Sequence, residues 1–124
     1  MSRNKVLVVE DDDEIRTSVA DVLDIEGFDV QTAKNGLDAL RQLQGGSLPD
    51  MILLDMMMPV MDGWQFMEEL RKMNQSAQKP VVIFSAYGNP EGMAAELDVA
   101  GYLRKPFSVD ELLAAVQSSM AQVT

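Results

Sequence analysis

The sequence has 124 residues, 47% of them hydrophobic and 24% charged, and a net charge of −10; that is one globular domain with one core rather than a disordered chain. It contains neither cysteine nor histidine, which excludes disulfides, thiolate chemistry, a Ser-His-Asp triad, a His-ligated zinc site and a histidine phosphocarrier within the chain. The surplus of acid disfavours direct binding to nucleic acid or to an anionic membrane, unless it is only a solubility device.

Short apolar runs alternate with helical stripes along the chain. "KVLVV" (5–9) reads as a buried strand. Ile15, Val19, Val22 and Leu23 follow at helical spacing, and Gly27 ends that element. "FDVQTA" (28–33) alternates like a more exposed strand, and Leu37, Leu40 and Leu43 mark a second helix stopped by Gly45 and Gly46. "MILL" (51–54) is a strand, and Phe66, Met67, Leu70 and Met73 form a third helical stripe. "PVVIF" (80–84) is the most strand-like run, followed by a weaker helix over 90–98 with Pro90 at its start and Gly92 inside it. "GYL" (101–103) is a short strand. The last helix opens with a capping box, Ser108 and Glu111, and is expected to bury Val109, Leu112, Leu113, Val116 and Met120. No apolar run reaches membrane-spanning length, and acids follow the first apolar stretch at once, so no signal peptide is expected and the chain is read as soluble and cytoplasmic.

Five β-α pairs imply a parallel sheet with helices on both faces and right-handed crossovers, too short for an eight-fold barrel. In an open doubly wound sheet, the functional groups should gather beyond the carboxyl ends of the strands. Glu10, Asp11, Asp12 and Asp13 follow the first strand, Asp55 the third, Ser85 the fourth, and Arg104 and Lys105 the fifth. Only the second strand ends without a polar group, which places it at a sheet edge. Each group has a plain structural reading. The acids cap a helix, with Asp12 or Asp13 in that role, Ser85 is a turn residue, and Lys105 is a solvated loop charge. Asp55 resists such a reading, because apolar residues flank it on both sides and a buried carboxylate needs compensation. Several carboxylates at one rim call for a hard divalent cation. Mg²⁺ is commonly held by one or two carboxylates together with a phosphate. Acids, a metal, a hydroxyl and a lysine around one buried aspartate describe a phosphoryl-transfer site in which the aspartate can be the nucleophile.

These residues resemble the receiver domain of bacterial two-component response regulators over essentially the whole chain. "VLVVEDDDEIR" is similar to the family's first strand and acidic pair, at Glu10 and Asp11. "ILLDMMMPVMDG" is similar to its phosphoacceptor segment, with Asp55, then Met58-Pro59 and Asp62-Gly63. "VVIFSA" supplies the hydroxyl as Ser85, and "GYLRKPF" the aromatic switch residue as Tyr102 and the lysine as Lys105. The resemblance implies an open doubly wound (βα)5 sheet of flavodoxin-like order 2-1-3-4-5, a single receiver domain over 1–124, and a Lys105–Pro106 cis peptide. It implies Mg²⁺ held by Glu10, Asp11, Asp55 and the backbone carbonyl of Met57. Asp98 stands where the family usually has a glycine at the end of the fourth helix; aspartate tolerates the left-handed conformation, so the cap is expected to survive. The ten methionines read as adaptable core filler, with a docking role as the alternative for Met56, Met57 and Met61.

The function so implied is a phosphorylatable switch rather than an enzyme, catalysing only its own phosphorylation and dephosphorylation. A partner histidine kinase or histidine phosphotransfer protein donates to Asp55. Lys105 pairs with the phosphoryl oxygens, Ser85 donates a hydrogen bond to them, and Tyr102 changes rotamer, altering the face of the fourth helix, fifth strand and fifth helix. The chain is either a stand-alone relay that acts on a downstream protein or the receiver of a longer protein whose output domain is missing here. A Mg²⁺-dependent phosphohydrolase resembling the haloacid dehalogenases would carry an acid two residues after the nucleophile, where Met57 stands. A flavin carrier of the same topology would need a phosphate-cradling first loop, which "EDDDE" would repel. A receiver-fold binding module that works without phosphorylation is the remaining alternative, and the intact acid, serine and lysine set argues against it.

Overall fold

The computed structural model describes residues 4–46, 48–73 and 79–121. Five strands and five helices alternate: β1 (Lys5–Val9), α1 (Asp13–Ile25), β2 (Asp29–Ala33), α2 (Gly36–Gln44), β3 (Met51–Asp55), α3 (Gly63–Lys72), β4 (Val81–Ser85), α4 (Pro90–Leu97), β5 (Gly101–Arg104) and α5 (Val109–Ala121). The sheet is fully parallel in the order β2-β1-β3-β4-β5, the topology implied by the sequence. β3 and β4 are buried at every position, as parallel strands covered on both faces must be. Because side chains alternate along a strand, β1 divides its residues between two cores. Leu7 and Val9 pack with Leu40, Leu43, Phe66, Leu70, Ala94 and Leu97 of α2, α3 and α4. Val6 and Val8 pack with Val19, Leu23, Leu112 and Val116 of α1 and α5.

The helix boundaries follow local chemistry. The Asp12 side chain caps α1 by accepting from the Ile15 amide at 3.0 Å, and the acids of its first turn suit the positive end of the helix dipole. Asp62 and Gln65 form a reciprocal capping box at α3, and Ser108 and Glu111 form the expected one at α5. Gly63, the first residue of α3, is required by close approach: a Cβ there would lie 2.4 Å from the Met56 sulfur and 2.7 Å from the Met56 Cα.

Two expected core positions lie outside the core. Val109 is 52% exposed and Leu37 is 37% exposed. Val109 stands in the first turn of its helix, where the chain is still entering from the rim, whereas Leu37 lies beside the buried stripe of α2, which Gly36, Ala39, Leu40 and Leu43 form. Leu113 and Met120 are half-buried against the α1–α5 core. Met56 is fully buried, so it is core and not docking surface, whereas Met57 is exposed and Met61 packs partly against the core.

α4 is the least secured helix. Asn89 makes no side-chain cap bond, and the C-cap Asp98 is left-handed with φ 56° and ψ 51°, so the cap survives without the family's glycine. Arg71 of α3 donates to the Leu97 carbonyl at its far end. Asp98→Gly should relieve the left-handed strain and remove an acid from the negative end of the helix dipole. We expect it to raise stability by about 0.5–1 kcal/mol, read as a higher urea midpoint with an unchanged slope; a lower midpoint would show that the Asp98 side chain is itself stabilising.

Candidate functional site

Hydrogen bonding of β1 and β3 in parallel pairs Val9 with Leu54. The residues one step further, Glu10 and Asp55, therefore stand side by side at the carboxyl edge of the sheet. Both are buried, Glu10 at 0% and Asp55 at 1% exposure. Lys105, just beyond β5, reaches across to them: its Nζ lies 2.7 Å from Glu10 Oε1 and 3.4 Å from Asp55 Oδ2. The lysine approaches Oε1 off the hydrogen-bond directions, so that oxygen has an ion-pair contact without a directed bond. The peptide after Lys105, to Pro106, is cis. The Lys105 ammonium also stands 5.1 Å from the centre of the Phe84 ring, which Phe107 meets edge-on at 5.8 Å. An aromatic face beneath a cation adds attraction in a desolvated setting.

Backbone amides fix the acids. The Asp12 amide donates to Glu10 Oε2 at 3.1 Å, and the Met57 amide to Asp55 Oδ1 at 3.1 Å. Arg16 binds the carbonyl oxygens of Glu10 at 2.9 Å and Asp11 at 3.5 Å, and pairs with Asp13. Nothing in the sequence marks Arg16, since an arginine at the end of a helix's first turn reads as a solvated face. Asp11 is exposed, yet one carboxylate oxygen each from Glu10, Asp11 and Asp55 fall within 4.8 Å of one another. Three hard oxygen donors at that spacing, one of them with an undirected lone pair, suit a hard divalent cation.

The electrostatics follow from burial. Desolvation first, then the hydrogen bond with Asp55, pushes the Glu10 carboxyl up to about 8. Burial also raises Asp55, while Glu10, the Met57 amide and Lys105 oppose that rise. Burial pulls the Lys105 ammonium down, but the two acids outweigh it and the net shift is upward. Burial and mutual repulsion thus favour retention of a proton by the pair over ionisation of both acids, and the two titrate together.

The other expected site residues are placed as follows. Ser85 is buried, and its hydroxyl is engaged by its own loop: Oγ donates to the Tyr87 carbonyl at 2.8 Å and accepts from the Tyr87 amide at 3.2 Å. Arg104 does not join the rim cluster; alternation along β5 turns it away from Lys105, and its Nη2 donates to the Gly88 carbonyl at 3.2 Å. Tyr102 is outward and 45% exposed. The β3–α3 loop turns through Val60 at φ 70°, closed by the Met61 amide on the Pro59 carbonyl at 2.7 Å. A β-branched residue at positive φ stores strain, roughly 1–3 kcal/mol, just beyond Asp55, and nothing in the apolar run announced it.

A family model described as the response regulator receiver domain matches residues 6–117. Among curated proteins, the chain is 37% identical over 117 residues to the transcriptional regulatory protein CpxR homolog of Haemophilus influenzae, covering 93% of this chain and 49% of that protein. It is 37% identical over 119 residues to the DNA-binding regulator RpaA of Synechocystis, covering 92% and 48%. The chain thus spans about half the length of these curated relatives. Among solved structures, the Vibrio cholerae chemotaxis protein CheY4 superposes with a TM-score of 0.86 at 32% identity, covering 95% of this chain and 99% of that one. The Francisella response regulator 1452 receiver domain does so with 0.86 at 33%, covering 98% and 100%.

A carboxyl raised on folding binds its proton in the folded chain before it does so in the unfolded one. Between the ordinary Glu10 value of 4.5 and about 8, the folded state therefore holds more protons, and stability falls as pH rises through that window. In chelator-treated protein, the loss should approach but not exceed about 1.4 kcal/mol per pH unit per retained proton. Urea unfolding at pH 5.5 and 7.5 measures it, and Glu10→Gln should flatten the slope; equal slopes in both proteins would place the retained proton elsewhere.

Proposed function

Since the chain belongs to the response regulator receiver family of two-component signalling, we propose that it is switched by phosphorylation of Asp55. The observation that supports this is the setting of that carboxylate: buried at the end of the central strand, bonded by the Met57 amide, and within reach of Lys105 and two further acids. The family is one of signalling proteins rather than of classical enzymes. In this reading, the residues accelerate only the formation and loss of the chain's own acyl phosphate.

An Asp55 carboxylate oxygen forms the new bond to phosphorus as the bond to the donor's imidazole nitrogen breaks. The donor is a histidine kinase or a histidine phosphotransfer protein, because the chain has no histidine of its own. Lys105 then follows the added negative charge: its stem is flexible, and it already lies between Glu10 and Asp55. Glu10, Asp11 and Asp55, with the Met57 carbonyl, would hold Mg²⁺, which when bound supplies charge neutralisation for the phosphoryl oxygens. Loss of the Glu10 proton accompanies metal loading, since a ligating carboxylate must be ionised. The Ser85 hydroxyl turns to the phosphoryl group, and Tyr102 moves from its outward rotamer toward the space this vacates. A downstream protein, or an output domain of the kind carried by the longer relatives, reads the α4–β5–α5 face. Among the described residues, no helix is long and apolar enough to cross a membrane, and we place this exchange in the cytoplasm.

Incubation with acetyl phosphate and Mg²⁺ should add one phosphoryl group, seen by intact mass, and Asp55→Asn should show none. An adduct of equal yield on Asp55→Asn would refute the assignment. Asp11→Asn should weaken Mg²⁺ binding at least several-fold through loss of ligand charge. Fluorescence of Trp64, which follows Gly63 at the start of α3 and is 36% exposed, is the readout; unchanged affinity would reduce Asp11 to a helix-end charge.

A further inference from the structure

A serine hydroxyl has one proton to donate. In this structure, that proton is committed, because Ser85 Oγ donates to the Tyr87 carbonyl while accepting from the Tyr87 amide. Ser85 can serve a phosphoryl group on Asp55 only if the loop from Ala86 to Asn89 lets go of it. That loop is tied from outside by Arg104, whose Nη2 donates to the Gly88 carbonyl. Gly88 sits at φ 73°, and a Cβ there would meet the Met93 methyl at 2.7 Å, so the loop is seated closely against α4. The start of α4 adds little hold of its own, since Asn89 forms no side-chain cap bond.

The same arginine belongs to the strand that must respond. Ser85 and Arg104 are register partners on β4 and β5, and the Lys105 amide donates to the Ser85 carbonyl at 2.9 Å. Tyr102 and Arg104 are two residues apart and both exposed, with Leu103 buried between them. They therefore share one face of β5. Arg104 thus joins the edge carrying Tyr102 to the loop carrying Ser85.

We propose that Arg104 is a positioning residue of the switch, whose bond to the Gly88 carbonyl holds the β4–α4 loop in the resting arrangement and opposes the turn of Ser85 toward Asp55. This rests on Asp55 being the phosphoacceptor. One exposed hydrogen bond from a charged donor biases such an equilibrium modestly, and its removal shifts the population toward the turned state without creating a new one. The latch and the local charge predict opposite signs. Deleting a cation near the rim would by electrostatics alone weaken binding of an anion. Deleting a latch strengthens it.

The test uses beryllofluoride with Mg²⁺ as the phosphoryl mimic, on wild type, Arg104→Ala and Arg104→Lys. Arg104→Ala should bind the mimic about three- to ten-fold more tightly, and Arg104→Lys should fall between it and the wild type. Without any mimic, amide exchange of Tyr87, Gly88 and Asn89 should quicken by a similar factor in Arg104→Ala, with β1 and β3 unchanged. Equal or weaker mimic binding by Arg104→Ala would overturn the latch, whatever its exchange rates, and unaltered exchange at 87–89 would do the same. Absence of mimic binding by the wild type itself would instead overturn the phosphoacceptor reading, and the latch with it.

Discussion

Two buried carboxylates and one ammonium meet at the carboxyl edge of the sheet, and the surrounding structure is arranged around that constraint. Glu10 and Asp55 cannot both ionise there without a cation, because burial and mutual repulsion act together. Lys105 supplies one positive charge, at 2.7 Å from Glu10 and 3.4 Å from Asp55. The amides of Asp12 and Met57 and the guanidinium of Arg16 hold the acids and their backbone in place. A cluster of acids of this kind suits a divalent cation, and the charge of such a cation roughly offsets that of a phosphoryl group only when both are bound. Breaking it by removing one member leaves an uncompensated buried charge, which is the costly outcome.

The rest of the molecule divides into a rigid base and a loosely held side. The base is the β1–β3–β4 centre of the sheet, with strands buried on both faces and a separate core on each. The loose side is the β4–α4 loop with α4 itself. α4 has only eight residues, no side-chain cap bond at its start and a left-handed aspartate at its end. Arginines from two other elements meet its two ends, Arg104 at the Gly88 carbonyl and Arg71 at the Leu97 carbonyl. A helix with weak caps of its own depends for its position on these end contacts together with the core packing of Ala94 and Leu97. The Val60 turn, at positive φ, lies on the other side of Asp55, in the loop that leads from β3 to α3.

Much of this was legible in the residues. The five alternating runs specified the elements because parallel buried strands and amphipathic helices leave different hydrophobic periods. The capping residues Asp12 and Ser108 were readable because capping is local. The convergence of Glu10, Asp11, Asp55 and Lys105 followed from strand polarity alone, since in a parallel sheet all carboxyl ends lie on one rim. Val109 and Leu37 misled because a few apolar residues at helical spacing fix neither the centre of the buried face nor where along the helix burial begins.

The sequence by itself determined which elements form, their order, and which groups stand at the carboxyl ends of the strands, since each depends on local periodicity and on the direction of parallel strands. Tertiary structure alone decided the state in which those groups rest. Whether Ser85 faces Asp55 or Tyr87, whether Arg104 joins the rim or spans to Gly88, and that Arg16 braces the Glu10 carbonyl are choices among partners far apart in the chain. They turn on side-chain direction and on a few ångströms between loops, and no residue pattern encodes distances of that kind.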